Sequence, residues 1–315
     1  MGNTWPSIPF GEWQDTSRAL HLYCQVVGKY RLAHTPWLNH SWHATLYVTP
    51  RGLTTGLVHD PKTPLSLSFD FVEDRLVGEA LGGARDGFDL QPMSVAQFLA
   101  ETKDLIGRLG GTPTIHHSPN EIPNPVPFAA DTATRPWQGD AVRRFHAALV
   151  NVERVFGHFR TGFLGKVSPV HLFWGSFDLA VTRFSGRTAP LHPGGIPALP
   201  DPITHEAYSH EVASAGFWPG GGGVEEAMFY AYAYPVPDDL ATSPIRPAEA
   251  HFSPELGEFL LSYEAVRSAP DPDKALEDFL QSTYEAIAAA AKWDRASLDA
   301  PMGAPLIPRR VGAPQ

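Results

Sequence analysis

The sequence predicts an α+β fold, antiparallel sheet flanked by helices. Three observations carry this: apolar residues recurring every three or four positions in some segments, every second position in others, and links between the latter too short for parallel crossovers. Hydrophobic residues make up 43% of the 315 positions and charged residues 18%, the balance of a chain that buries a large core.

Residues 15–33 are predicted to form a helix capped by Asp15 or Thr16, because Leu20, Tyr23, Val27 and Tyr30 make one apolar stripe. From Leu38 to Val48 the period becomes two, which predicts a strand with His40, Trp42, Leu46 and Val48 on one face. Pro50-Arg51-Gly52 turns the chain, and residues 65–72 and 75–81 supply two strands about Glu73-Asp74. Ser94 is placed to cap a helix to about Leu109, ended by Gly110-Gly111. Six prolines between 112 and 137 predict a linker or surface loop.

The same order then begins again. Val142, Phe145, Leu149, Val152, Phe156, Phe159 and Phe163 predict an amphipathic helix over 141–163. A long strand is predicted over 170–182, a Pro/Gly loop over 190–202, strands over 208–217 and 227–234 about a turn at Gly220 to Gly223, and a last helix over 272–293. Placing Gly28 over Gly157 aligns Leu20, Tyr23, Val27, Tyr30 and Arg31 with Leu149, Val152, Phe156, Phe159 and Arg160. This fits two similar helix-sheet-helix halves, 1–137 and 138–315, within one compact unit; internal duplication and a merely common order of elements both remain open.

With 24 Lys and Arg against 34 Asp and Glu, the formal charge of −10 argues against nucleic-acid binding. No apolar run approaches the length of a membrane span, so no membrane partner is expected. The first ten residues lack the pattern of a signal peptide, and the single Cys24 closes no intramolecular disulfide, which together predict a cytoplasmic location. Oligomeric state is not indicated.

Specific motifs are near misses. Gly165-Lys166 resembles the end of a phosphate loop, but Arg160 stands where its first glycine should be and Val167 where its Ser/Thr should be. His205-Glu206 is followed by His210, one residue too late for a zinc-protease helix. Gly175-Ser176 lacks the nucleophile-elbow pattern.

What remains is a polar constellation on predicted strands, in a chain with 14 histidines. On one regular strand His171 would share a face with Phe173, Phe177 and Arg183, and Asp178 the other with Trp174 and Ser176. Tyr208, His210, Val212 and Ser214 would share a face, with Glu211 opposite. Histidines with Glu211, Glu225 or Glu226 are the residue types of two-His-one-carboxylate iron sites or three-ligand zinc sites. A core histidine bonded to a carbonyl is the plainer reading of His40 or His171. Tyr230, Tyr232 and Tyr234 form a ladder at period two, explained by cross-strand packing or by a ligand platform.

Several runs carry a resemblance: Trp5-Pro6, His40-Ser41-Trp42-His43, Tyr47 to Leu53, Ser168 to Arg187, Tyr208 to Glu211, and Ala215 to Gly220. Over about Trp5 to Trp293 the chain resembles an uncharacterised bacterial protein family known only as a domain of unknown function. That resemblance implies a cytoplasmic bacterial protein forming one unit, and brings no activity, cofactor or catalytic residue.

The expected function is that of a small-molecule enzyme with a His/Glu site near the loops after Gly186 and around Tyr208 to Trp218. His171, His192, His210 and Glu211 are the candidate catalytic residues or ligands, and a divalent metal ion is the candidate cofactor. Trp174, Asp178, Arg183, Trp218, Tyr230 and Tyr232 are the candidate ligand-binding residues. The rivals are a non-catalytic binding protein with an aromatic-lined pocket, and a structural or partner-binding protein with an exposed apolar patch.

Overall fold

Helix α1 (Phe10–Ala33) starts five residues earlier than its stripe suggests. Pro9 sets the entry to the helix, and Thr16, which looked like a cap, is buried inside it with its hydroxyl donating to the Pro136 carbonyl at 3.2 Å. The helix buries residues on every side, including Gln25, Lys29 and Arg31, because it runs through the core rather than along the surface. The computed structural model describes residues 5–309.

After α1 come β1 (Thr45–Thr49), β2 (Gly52–Thr54), β3 (Leu65–Asp70), β4 (Arg75–Ala80), β5 (Arg85–Asp89) and α2 (Val95–Arg108). Ser94 caps α2 as expected, accepting the Gln97 N–H at 3.1 Å. The second part holds α3 (Gly139–Thr161), β6 (His171–Phe173), β7 (Asp178–Thr188), α4 (Asp201–Ala207), β8 (His210–Trp218) and β9 (Met228–Tyr234). β10 (His251–Ser253), β11 (Glu258–Ser262), α5 (Tyr263–Ser268), α6 (Pro272–Ala290) and α7 (Arg295–Leu298) complete the described chain.

The α+β prediction holds. The eleven strands form one sheet, antiparallel at every pairing, in the order β10-β11-β9-β8-β7-β6-β1-β2-β3-β4-β5. From the β1–β6 seam, where Thr45 pairs with Phe173 and Leu46 with Leu172, strands are added outward on both sides, and α1 precedes β1 as α3 precedes β6. One core cluster contains residues from both parts. The two glycines that anchored the alignment have different surroundings. A Cβ on Gly28 would lie 2.2 Å from Trp174, whereas Gly157 has only Glu153 near it, at 4.0 Å.

Three sequence expectations are corrected. The predicted strand over 38–48 begins only at Thr45, because Asn39–Ser41 forms a 3₁₀ turn with His40 and Ser41 at φ 56° and 58°. Its amides are already taken, that of His40 by the Glu206 carboxylate at 2.9 Å and that of Leu38 by His43 Nδ1 at 3.2 Å. The predicted strand over 170–182 is a hairpin. Phe177 at φ 65° donates its N–H to the Phe173 carbonyl at 2.8 Å, closing a tight turn between β6 and β7. Since Phe173 pairs with Asp178 and His171 with Ala180, these four residues share one face and Arg183 takes the other. Finally, Tyr208 ends α4 rather than starting a strand, and β8 begins at His210.

Among the described residues no helix is long and apolar enough to cross a membrane.

Candidate functional site

Alternation along β7 sends Leu179, Val181 and Arg183 toward the helices and Asp178, Ala180, Thr182 and Phe184 to the opposite face. Register carries that face outward through Val212, Ser214 and Trp218 on β8, Tyr230 and Tyr232 on β9, and Glu258 on β11. The Pro/Gly loop lays Ile196 and Leu199 over it, α4 adds Ile203, Thr204 and Ala207, the 3₁₀ turn adds His40 and Ser41 beside Trp42, and Glu121 reaches in from the proline-rich segment. The result is a cavity of about 500 Å³, within the range of small-molecule sites. Three of its lining residues, His40, Ser41 and Glu121, are non-glycine residues at positive φ, a strained conformation that concentrates at binding sites.

Asp178 is the first of three carboxyl groups in the cavity. It accepts hydrogen bonds from the Ser176 and Tyr230 hydroxyls, while burial raises its pKa above the ordinary carboxylate value. Tyr230 reaches it because its ring lies flat across Gly216, where a Cβ would be 2.2 Å from the ring. The Glu121 carboxyl lodges against Gly175, where an added Cβ would push it from its place. Burial pushes Glu121 up to about 7, Asp178 adding to the shift and Lys29 opposing it. Glu258 is likewise pushed up to about 7, by burial and then by Asp178. Among the described residues neither glutamate carboxyl has a hydrogen-bond partner or an ion pair.

The segment bearing Glu121 is pinned from both sides. Its N–H donates to the Pro197 carbonyl at 2.9 Å, and the Asn120 N–H donates to Gln25 Oε1 at 2.7 Å. Lys29 donates to the Asn120 side chain and sits 5.1 Å from the Trp174 ring, with burial lowering its pKa to about 8. Beside Glu258, the Tyr208 and Tyr232 hydroxyls bond each other at 2.9 Å. Burial pushes Tyr208 up to about 12 and Tyr230 and Tyr232 well above their usual range, so all three stay protonated. At the other end His40 Nδ1–H donates to the Ala207 carbonyl at 2.8 Å, leaving Nε2 to accept from the Lys166 ammonium. Lys166 stands over Phe184 at 4.8 Å and Trp42 at 5.4 Å.

Of the residues singled out from sequence, Asp178, Trp218, Tyr230 and Tyr232 line this cavity. His210 stands behind the rim, its ring 5.8 Å from that of His40. His192 stacks on Tyr208 at 4.7 Å, its Nδ1 accepting the Gly194 N–H at 3.0 Å. His171 is buried between Trp42 and Tyr47 with neither ring nitrogen bonded, and burial, reinforced by Arg31 and Arg160, lowers its pKa to about 3. Glu211 points from the far face of β8 to Arg187 at 2.7 Å and Ser185 at 2.9 Å. Trp174 turns toward α1. Arg183 is buried on the helix side, 3.5 Å from the Phe159 ring centroid, and donates to the Phe159 carbonyl.

His171, His192, His210 and Glu211 therefore do not converge. Among the described residues no group of three or more His, Cys, Asp or Glu is placed to hold a metal ion. Glu121 and Glu258 were absent from the sequence candidates. The first lies in a segment legible only as a loop, the second on a short strand that no local pattern announced.

The chain matches the family described as Family of unknown function (DUF5996) over residues 5–300. It belongs to that family, as the resemblance in its sequence implied. No curated protein and no solved structure matched it.

Proposed function

We propose that this member of the family binds a small organic molecule in the cavity on the open face of the sheet and exchanges protons with it through Asp178, Glu121 and Glu258. The observation that carries this reading is that three carboxyl groups, Asp178 buried and Glu121 and Glu258 half-buried and without protein partners, line one cavity walled by aromatic rings. A folded chain does not leave carboxyl groups unpaired in a hollow without cost, and such arrangements concentrate where function requires them. Carboxyls that titrate near 7 are also suited to general acid–base work at neutral pH. The placement of the histidines gives no support to a metal-dependent version.

A second reading, non-catalytic binding, is favoured by the walls themselves: Trp42, Phe173, Phe184 and Trp218 offer an apolar body more contact than chemistry. Screening a fluorinated fragment library by ¹⁹F NMR tests the shared claim. Fragments are expected to bind the parent and lose binding in a Ser214→Trp variant, which fills the cavity floor. A library with no binders, or binders indifferent to that substitution, would remove the claim. Incubating identified binders with the parent and with Asp178→Asn then separates catalysis, which converts the molecule, from storage or sensing, which returns it unchanged.

A further inference from the structure

We propose that the occupant of this cavity is an organic ammonium ion, its charged nitrogen held among Glu121, Asp178 and Glu258 and its apolar body against the aromatic walls. This rests on the cavity being a ligand site, and names the class of ligand. The first ground is donor supply. Asp178 already accepts from Ser176 and Tyr230, and the hydroxyl protons the cavity has to spare, one from the Tyr208–Tyr232 pair and those of Ser41 and Thr204, are bonded to neither Glu121 nor Glu258. An ammonium group brings three N–H donors, an alcohol one and a carboxylate none. The second ground is charge. No lysine or arginine is among the lining residues. Lys29 is engaged by Asn120 and the Trp174 face, and Lys166 by His40 at the far end. An anionic guest would meet three carboxyl groups with only Lys29, outside the lining, to offset them. The third is the walls: Trp218, Tyr208 and Tyr232 present ring surface beside the carboxyls, and π-faces attract desolvated cations.

The binding is coupled to protons. Glu121 faces Asp178, Lys29 and Tyr208, and Glu258 faces Asp178, Tyr208, Tyr230 and Tyr232. His40, Lys166 and Glu206 interact at the other end. A cation arriving among carboxyls that titrate near 7 favours their ionised forms, so a proton leaves to solvent as the guest enters, and affinity rises with pH.

The test is calorimetric titration of the full chain with benzylamine, benzyl alcohol and benzoate, three probes of one shape and different charge. Benzylamine, protonated throughout, is expected to bind at pH 8 at least about tenfold more tightly than benzyl alcohol, and benzoate not at all. Coupling to a single carboxyl makes benzylamine about tenfold weaker at pH 6 than at pH 8, and coupling to both makes the difference larger. Glu121→Gln is expected to weaken benzylamine and flatten this pH dependence, with Glu258→Gln as the second variant should the first not fold; Glu211→Gln, on the far face, leaves binding unchanged. Equal binding of alcohol and amine, preference for benzoate, or pH-independent amine binding overturns the inference. If fluorinated fragments occupy the cavity while benzylamine does not bind, this inference fails and the ligand site stands. If nothing binds at all, both fall.

Discussion

The two faces of β7 and β8, one residue apart in sequence, were built to different rules. On the helix side Phe217 is fully buried, its ring 5.3 Å from that of Phe229 and 5.4 Å from that of Tyr263, and the buried Arg183 is spread over aromatic faces and tied to a carbonyl. On the other side Trp218, Asp178 and Ser214 border empty volume. Packing density stabilises the first face. The second holds one buried and two half-buried carboxyl groups that a stability-optimised core would have replaced, which is why we propose it as a binding surface.

The contrast is broken most severely at Phe217. Phe217→Ala is expected to cost about 3–5 kcal/mol in urea unfolding, whereas Trp218→Ala, the removal of a larger ring from the cavity side, should cost under about 1.5 kcal/mol. If the two costs are equal, the faces do not differ in packing.

Next in size is Gly216→Ala. The added Cβ cannot coexist with the Tyr230 ring, so the ring must leave its place over Asp178, with a loss of about 1–3 kcal/mol. Fragment binding should fall with it, and a variant that retained both stability and binding would show that the close approach is unnecessary.

The carboxyl groups give an effect of the opposite sign. The folded-state pKa of Glu121 is raised from 4.5 to about 7. Between those values the folded chain holds a proton that the unfolded chain has lost, so stability contributed by this group is present below pH 4.5 and declines as pH rises toward 7. Glu121→Gln should therefore stabilise the protein by about 1–2 kcal/mol at pH 8 and be near neutral at pH 4, in paired urea melts. A destabilised variant at pH 8 would mean the carboxylate is well satisfied where it sits.

The smallest effect is expected at Glu211→Gln. Its ion pair with the half-exposed Arg187 should be worth no more than about 1 kcal/mol, reduced by salt.

Local pattern made the four long helices, α1, α2, α3 and α6, and the β3–β4 hairpin legible, whereas the short α4, α5 and α7 left no such signal. α2 carries its own start and stop in Ser94 and Gly110, and α3 repeats its apolar step along its whole length. The hairpin between β6 and β7 hid because Trp174, Ser176 and Phe177 read as strand residues, and only Gly175 punctuated them; that one missed turn inverted the relation between His171 and Asp178. The strand over 38–48 was overextended for a similar reason, since its alternation continues through a turn held by Glu206, far along the chain. Tyr230 and Tyr232 were visible as a ladder on one strand. Glu121 and Glu258 were not, because what makes them notable is being brought to Asp178 from separate segments, and distance in space leaves no local trace.

The most direct measurement is a ¹³C titration of the glutamate side-chain carboxyls in selectively labelled protein, with Glu121→Gln and Glu258→Gln used to assign the resonances. Two carboxyls are expected to titrate near 7, one disappearing in each variant. If every glutamate titrates between about 4 and 5, the cavity is open water and the carboxyl groups that line it are not the partner-seeking site proposed for them.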